Sequence, residues 1–213
     1  VRVIDNDPSN PLTASVNAVF TIQGTNDNPY FSLVGSDSPT LNLTETDSGI
    51  SDAATLTVTD VDTANTVTGT VVSVVESGTT TGLISSNSDL LAMLSVTGNV
   101  ISSSATTGTL TWNFNSSTEP FNYLKSNETL TLTYTVRVTD SNTTAATADR
   151  TVVVNIAGTN DTPFVYSGFA GLDPTHTAYR GSPVVVFGTS GRSLVLGTVE
   201  TSQKFDQVEM TVS

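Results

Sequence analysis

The sequence of 213 residues contains no cysteine, one histidine and seven basic residues against twenty acidic ones. Without cysteine, the chain can form neither disulfide bonds nor thiolate metal sites. The net charge of −13 repels nucleic acid and anionic membranes, which excludes both as partners. No apolar run approaches the roughly 20 residues that span a bilayer, so direct membrane insertion is excluded as well.

The clearest pattern in the sequence is the alternation of apolar and polar residues. In residues 129–140, TLTLTYTVRVTD, every second residue from Leu130 to Val138 is apolar or aromatic, which is typical of a half-buried strand. The same period of two occurs in three further segments, residues 55–62, 109–114 and 151–156. It places Trp112 in the core, while only residues 88–96 favour a short helix. Short strands separated by turn residues predict a β-sandwich.

Acidic residues follow the apolar faces of two of these strands. Asp140 continues the apolar parity of residues 130–138, and Asp60 and Asp62 continue that of Leu56 and Val58. Because an unpaired carboxylate is costly in a core, each strand is predicted to end there, with its acids at the rim of the sandwich. Two interpretations stay open: these acids are ordinary turn formers, or they hold a hard cation such as Ca²⁺, which prefers oxygen ligands.

One short motif occurs twice: GTNDNP in residues 24–29 and GTNDTP in residues 158–163. Residues 1–6 (VRVIDN) also align with residues 136–141 (VRVTDS). The alignment predicts three units: residues 1–28 as the last two strands of a preceding repeat plus its linker, 29–163 as a complete repeat plus linker, and 164–213 as the opening strands of an incomplete repeat. Since no signal peptide is visible and the chain opens within an apparent strand, we expect it to be part of a longer exported protein.

Residues 122–163, which contain LTYTVRVTD and AGTNDTP, resemble the VCBS repeat, a bacterial cadherin-like domain of giant RTX-type surface adhesins. The segments GTLTWNFN (residues 108–115) and LTETD with TLTVTDVDT (within residues 43–63) are similar to earlier strands of that family. The resemblance implies an all-β chain of tandem immunoglobulin/cadherin-like sandwiches, joined by short Asn-Asp-x-Pro linkers. It also implies an extracellular location on the bacterial cell surface, with a role in adhesion and biofilm.

The resemblance further implies Ca²⁺ at each joint between repeats. Linker Asn and Asp residues, an early Glu, an Asp-x-Asp pair and a lone Asp would hold it. Matched onto this sequence, these ligands are Asn26, Asp27, Glu45, Asp60, Asp62, Asp140, Asn160 and Asp161. Asp5 is the counterpart of Asp140 in the first unit. The Gly-Thr of each linker stands where cadherins carry a further acid, so the number of ions is left open.

Three functional hypotheses follow. The first is a non-enzymatic extender, stiffened by Ca²⁺, whose partners are the neighbouring repeats of its own chain. The second is a structural subunit of an extracellular filament or sheath, completed by strand exchange between copies. The third is a ligand-binding module in the irregular residues 164–197. No catalytic residue is assigned. His176 has no Cys, Asp or Glu at the spacing of metal ligands, and no G-x-S-x-G motif occurs.

Overall fold

The computed structural model describes residues 1–162, 164–167 and 194–197. His176 and most of residues 164–213 lie outside this part. Within it, no helix is long and apolar enough to cross a membrane. The all-β prediction is confirmed, with these elements: β1 (Arg2–Ile4), β2 (Thr13–Ser15), β3 (Tyr30–Ser32), β4 (Thr40–Thr44), β5 (Ser51–Thr59), β6 (Val67–Gly78), α1 (Asn87–Ala92), β7 (Leu94–Val96), β8 (Asn99–Ile101), β9 (Thr107–Asn115), β10 (Thr129–Asp140), β11 (Thr147–Ala157), β12 (Phe164–Ser167) and β13 (Leu194–Gly197).

Two sheets enclose one hydrophobic core between residues 29 and 157. One has the strand order β4-β11-β10-β6-β8 and the other β3-β5-β9-β7. Apolar side chains at alternate positions of both sheets fill the space between them, as the period of two predicted. Trp112 is fully buried in this core, and its indole N–H donates to the carbonyl of Ser38 at 3.1 Å. The prediction of a sandwich core around Trp112 is therefore confirmed.

At one edge of the five-stranded sheet, two neighbouring strands run parallel to each other. In the five-stranded sheet, β4 pairs in parallel with β11, from Thr40 opposite Val153 to Thr44 opposite Ala157. The preceding β3 belongs instead to the other sheet, where it pairs with β5. The chain thus crosses between the sheets in residues 33–39. There the Asp37 carboxylate accepts backbone N–H groups of Val34 and Thr57, at 3.1 and 2.8 Å, and the Thr55 hydroxyl at 3.0 Å.

Strand β6 forms an exposed edge of the five-stranded sheet along much of its length. It pairs with β10 throughout, but β8 reaches only its first two residues. The register shifts at Val72, which forms a β-bulge, and the Asn87 side chain donates to the carbonyl of Val74 at 3.2 Å. Bulges and side-chain caps of this kind discourage a strand edge from pairing with another chain.

The short helix predicted in residues 88–96 is correct only in its first half. Ser86 and Asp89 form a capping box that starts α1, whereas residues 94–96 leave the helix as strand β7. Leu94 is buried opposite Phe114 of β9, so pairing with a core strand overrides the continuation of the helix.

The first unit consists of the β1–β2 hairpin, whose side chains are exposed. Its pairing of Val3 with Ala14 is the counterpart of Val138 with Ala148 in the β10–β11 hairpin. Residues 16–29 contain no strand, although Phe20 and Ile22 align in sequence with Val154 and Ile156, which belong to β11. A ladder needs a neighbouring strand along its length, and the described residues provide none beside this segment.

Candidate functional site

The eight residues assigned to calcium lie at two opposite ends of the sandwich. At one end β5 and β10 stop beside the first linker, residues 24–28, and we call this end the proximal rim. At the other end β4 and β11 stop beside the second linker, residues 158–162, and this is the distal rim. The proximal rim holds Asn26, Asp27, Asp60, Asp62 and Asp140, whereas the distal rim holds Glu45, Asn160 and Asp161.

Asp60 lies at the centre of the turn that follows β5. Its backbone N–H donates to the carbonyl of Thr106 at 2.9 Å, which fixes the residue against the neighbouring chain. Its Oδ1 accepts the N–H of Asp62 at 3.0 Å. The side chain is only 1% exposed, and its Oδ2 is buried with no hydrogen-bond partner. One carboxylate oxygen therefore stays unsatisfied at the proximal rim.

Asp140 closes the β10–β11 hairpin at the same rim. Its Oδ1 accepts the N–H groups of Asn142 and Ala146, at 3.2 and 2.9 Å, and its own N–H donates to the carbonyl of Ala146 at 3.0 Å. Its Oδ2 accepts the side-chain amide of Asn26 at 2.7 Å. Asp140 is 4% exposed, so this carboxylate is buried but fully hydrogen-bonded.

The hairpin of the first unit repeats this arrangement around Asp5. Its Oδ1 accepts the N–H groups of Asp7 and Leu12, at 3.3 and 3.0 Å. Its N–H donates to the carbonyl of Leu12 at 3.0 Å. These three hydrogen bonds are the counterparts of those around Asp140, at the positions that the sequence alignment pairs. The β1–β2 and β10–β11 hairpins are therefore similar in their side-chain hydrogen bonds as well as in their sequence.

The first linker is docked onto the proximal rim by hydrogen bonds alone. While the Asn26 amide N–H binds Asp140, its Oδ1 accepts the side chain of Asn65 at 3.1 Å. The N–H of Asp27 donates to Oδ2 of Asp62 at 2.7 Å. Asn65 is a rim residue that sequence reasoning missed, because nothing in its surrounding TANT sequence distinguishes it from an ordinary loop residue.

At the distal rim, Glu45 receives two donors from one residue of the second linker. The N–H of Thr159 donates to Glu45 Oε1 at 2.8 Å, and the Thr159 hydroxyl donates to the same oxygen. Glu45 is 2% exposed, and its Oε2 is buried without a hydrogen-bond partner. Asp161 is also buried, while Asn160 is exposed. Thr159 is a second residue that sequence reasoning did not assign to the site.

All buried carboxylates of the described residues belong to the two rims. They are Glu45, Asp60, Asp140 and Asp161, and each is among the predicted ligands. In residues 1–162, neither Glu45 nor Asp60 nor Asp140 forms an ion pair with a lysine or arginine. Burying a carboxylate is costly unless hydrogen bonds or a cation compensate for its charge. Both rims therefore favour positive charge.

The acids are nevertheless spread out rather than gathered. Among the described residues, no three Asp, Glu, His or Cys side chains lie close enough together to hold a metal ion. The eight residues divide between two ends, so they do not form one site. A cation at either rim would have to complete its shell with amide, carbonyl and water oxygens.

Two clefts lie near the distal rim. One of about 390 Å³ is lined by the second linker together with Thr46 and Asp47. The other, an open groove of about 580 Å³, runs between residues 82–93 and 115–123. Its acids are engaged locally, because Glu119 accepts Ser85 and Phe121, and Asp89 caps α1. The groove thus presents no free carboxylate pair for acid–base chemistry.

Comparisons with known proteins give structural similarity without sequence similarity. No family model matches the sequence, and no curated protein matches it. A PapD-like (ASH) domain of human CEP192 is similar in structure, with 9% identity, a TM-score of 0.37, and coverage of 68% of this chain and 96% of that domain. AggA, the major subunit of aggregative adherence fimbriae type I from Escherichia coli, has 10% identity, a TM-score of 0.34, and coverage of 64% and 99%.

Proposed function

We propose that this chain is a non-enzymatic extender segment of a bacterial surface adhesin, built from cadherin-like VCBS repeats and stiffened by Ca²⁺ where repeats join. One observation carries the proposal: every buried carboxylate of the described residues lies at a rim where a GTND linker meets the sandwich. Burial adds a desolvation cost to an acid that only shapes a turn. An acid that binds a cation between two domains is buried because the linker covers it.

Calcium suits the chemistry of these rims. It takes six to eight oxygen ligands at about 2.3–2.6 Å and accepts carboxylate, amide and carbonyl oxygens in irregular geometry. The unsatisfied Oδ2 of Asp60 and Oε2 of Glu45 fit such an ion. At the proximal rim, Asp60, Asp62, Asp140 and Asn26 would supply side-chain oxygens. The ion would offset the charge that the sandwich buries there.

Rigid joints would turn a string of sandwiches into a spacer that holds a distal binding region away from the cell. The described sandwich has its own core, so contacts between neighbours in such a string would be confined to the linkers and rims. The net charge of −13 would oppose lateral association of such spacers. The chain would work outside the cell, where millimolar Ca²⁺ is available.

The test is thermal unfolding of the 213-residue chain in EDTA and in millimolar Ca²⁺. Trp112 is the one tryptophan of the chain and lies in the core, so its fluorescence reports unfolding of the sandwich. Ligand linkage predicts that Ca²⁺ raises the free energy of unfolding by about 2.7–4 kcal/mol at 100–1,000 times the dissociation constant. The double variant Asp60→Ala, Asp62→Ala should lose most of that increase.

Asp52→Ala is the matched control, since Asp52 is an exposed acid at the opposite end of β5. It should leave the calcium response unchanged. If Ca²⁺ stabilises neither the native chain nor the control, the proposal fails and GTND is a turn-forming linker only. Mg²⁺ should substitute poorly, because it demands a smaller and more regular shell.

A second candidate function is a filament subunit that exchanges strands with other copies. The observation that favours it is the β1–β2 hairpin, which exposes Val3, Ile4 and Leu12 to solvent. Such a hairpin needs covering, and strands of another chain can cover it by β-augmentation. Light scattering across a hundredfold range of concentration tests this. Growth of the mass with concentration supports strand exchange, whereas a constant monomer mass excludes it.

A further inference from the structure

The two linkers have the same GTND sequence, but the structure records different contacts for each. The first linker precedes the sandwich and binds its proximal rim through Asn26 and the N–H of Asp27. The second linker follows the sandwich and binds its distal rim through Thr159. In sequence, Thr159 corresponds to Thr25, and Asn160 and Asp161 correspond to Asn26 and Asp27. The two linkers thus bind the sandwich through different parts of the motif.

We propose that GTND is a two-sided latch that joins neighbouring sandwiches without a metal ion. Its Thr binds the rim Glu of the sandwich before it, and its Asn and Asp bind the rim acids of the sandwich after it. This inference rests on the proposed tandem arrangement, in which every linker has a sandwich on both sides. The latch and the metal would share Asp62 and Asp140, but the latch needs no ion, because its hydrogen bonds form between protein atoms alone.

The chemistry of Thr159 supports a positioning role for this residue. Its backbone N–H and its hydroxyl converge on one oxygen of Glu45, which leaves the other oxygen without a hydrogen-bond partner. Hydrogen bonds to a charged acceptor are roughly twice as strong as those between neutral groups. The Gly-Thr pair, which departs from an acidic cadherin linker, therefore has a use of its own: it brings two donors to one oxygen of a buried carboxylate instead of adding another acid.

The spacing of the contacts makes the latch short. The Thr and the Asn are adjacent in GTND, and consecutive Cα atoms lie about 3.8 Å apart. The Thr would bind the Glu of one sandwich and the adjacent Asn the lone Asp of the next, so no flexible residue would lie between the two contacts. A linker fastened in this way fixes the separation of two rims before any cation binds.

Hydrogen exchange of the full chain in EDTA tests each half of the latch. The amides of Thr159 and Asp27 should be protected, since both donate to carboxylates. Thr159→Val keeps the shape and the N–H but removes the hydroxyl, and should speed exchange at residues 158–161 about tenfold, whereas Thr159→Ser should not. Thr25→Val is the matched control at the same place in the first motif, and should leave the Thr159 amide unchanged. Trp112 fluorescence verifies that every variant is folded.

A chain with residues 29–162 duplicated, so that 162 is followed by a second copy beginning at Pro29, tests the two-sided contact. The chain lacks cysteine, so one cysteine introduced in each copy allows spin labels to report the distance between the copies. In EDTA the distance distribution should be narrow, and Thr159→Val at the internal linker should broaden it.

The results separate the latch from the calcium proposal. If the amides are protected and the spin-label distance distribution is narrow in EDTA, and Ca²⁺ changes neither, the results support the latch and contradict the calcium proposal. Exchange in EDTA as fast as in an open loop, with order appearing only in Ca²⁺, overturns the latch and keeps the ion. Equal behaviour of the valine and serine variants also overturns it, because the hydroxyl then contributes nothing.

Discussion

Replacement of Asp60 by asparagine should have opposite effects on stability with and without calcium. Asparagine keeps the shape of the side chain and an oxygen that can accept the N–H of Asp62, but removes the buried charge. In EDTA the native carboxylate buries a charge whose Oδ2 has no hydrogen-bond partner, whereas the amide that replaces it is neutral and costs less to bury. Asp60→Asn should therefore raise the free energy of unfolding in EDTA by about 1 kcal/mol, which for a domain of this size is roughly 3–5 °C in Tm.

In millimolar Ca²⁺ the same substitution should destabilise the chain relative to the native sequence. It removes a charged ligand, and each tenfold loss of affinity lowers the stabilisation by about 1.4 kcal/mol. The assay is urea unfolding followed by Trp112 fluorescence, with Asp52→Asn, an exposed acid on the strand that Asp60 follows, as the control. The reasoning is refuted if Asp60→Asn destabilises equally in both conditions, because Asp60 would then be a turn-forming acid and not a ligand.

Two further predictions concern residues of the sandwich that lie outside the two rims. Burial raises the pKa of Asp37, but hydrogen bonds from Thr57, Val34 and Thr55 outweigh it and hold that pKa below its usual value. The carboxylate of Asp37 therefore stabilises the fold at pH values above its unfolded pKa, and this stabilisation is lost as the pH falls through the lower folded pKa. Asp37→Asn should lower the free energy of unfolding by about 1–3 kcal/mol at pH 7. The same substitution should flatten the acid limb of a plot of unfolding free energy against pH. Gly108→Ala should destabilise the sandwich by about 1–3 kcal/mol or more in urea unfolding, since its Cβ would lie 1.9 Å from a backbone carbonyl oxygen, whereas Gly98→Ala, with nothing within 4 Å, should cost far less.

Much of the central fold could be predicted from the sequence, because alternation depends only on which face of a strand is buried. The bounds of β10 in the structure, Thr129–Asp140, are those of the predicted segment. Strand β6 was not predicted from the alternation of apolar residues. It lies at a sheet edge with exposed valines, and the bulge at Val72 interrupts its period of two. Alternation indicates a strand clearly only where one face is buried along an unbroken ladder.

The site could be predicted only in part. The acids that end β5 and β10 interrupt the alternation of apolar residues, and the repeated GTND motif marks the two segments that contact the rims. The division of these residues between two rims depends on strand direction, which local patterns do not contain. Thr159 binds a residue 114 positions away, and Asn65 binds one 39 positions away. Such contacts follow from the topology of the whole sandwich, so no local signal could have identified these two residues.

The parallel pairing of β4 with β11 also determines how the sandwich would respond to tension. The chain reaches β4 from the proximal rim and leaves β11 at the distal rim, so pulling the two linkers apart slides these strands past each other. Their five paired positions would then be loaded together in shear, instead of opening one after another as in an unzipped hairpin. An extender of the kind proposed above would benefit from this direction of loading, because the hydrogen bonds of the β4–β11 pair would share the force.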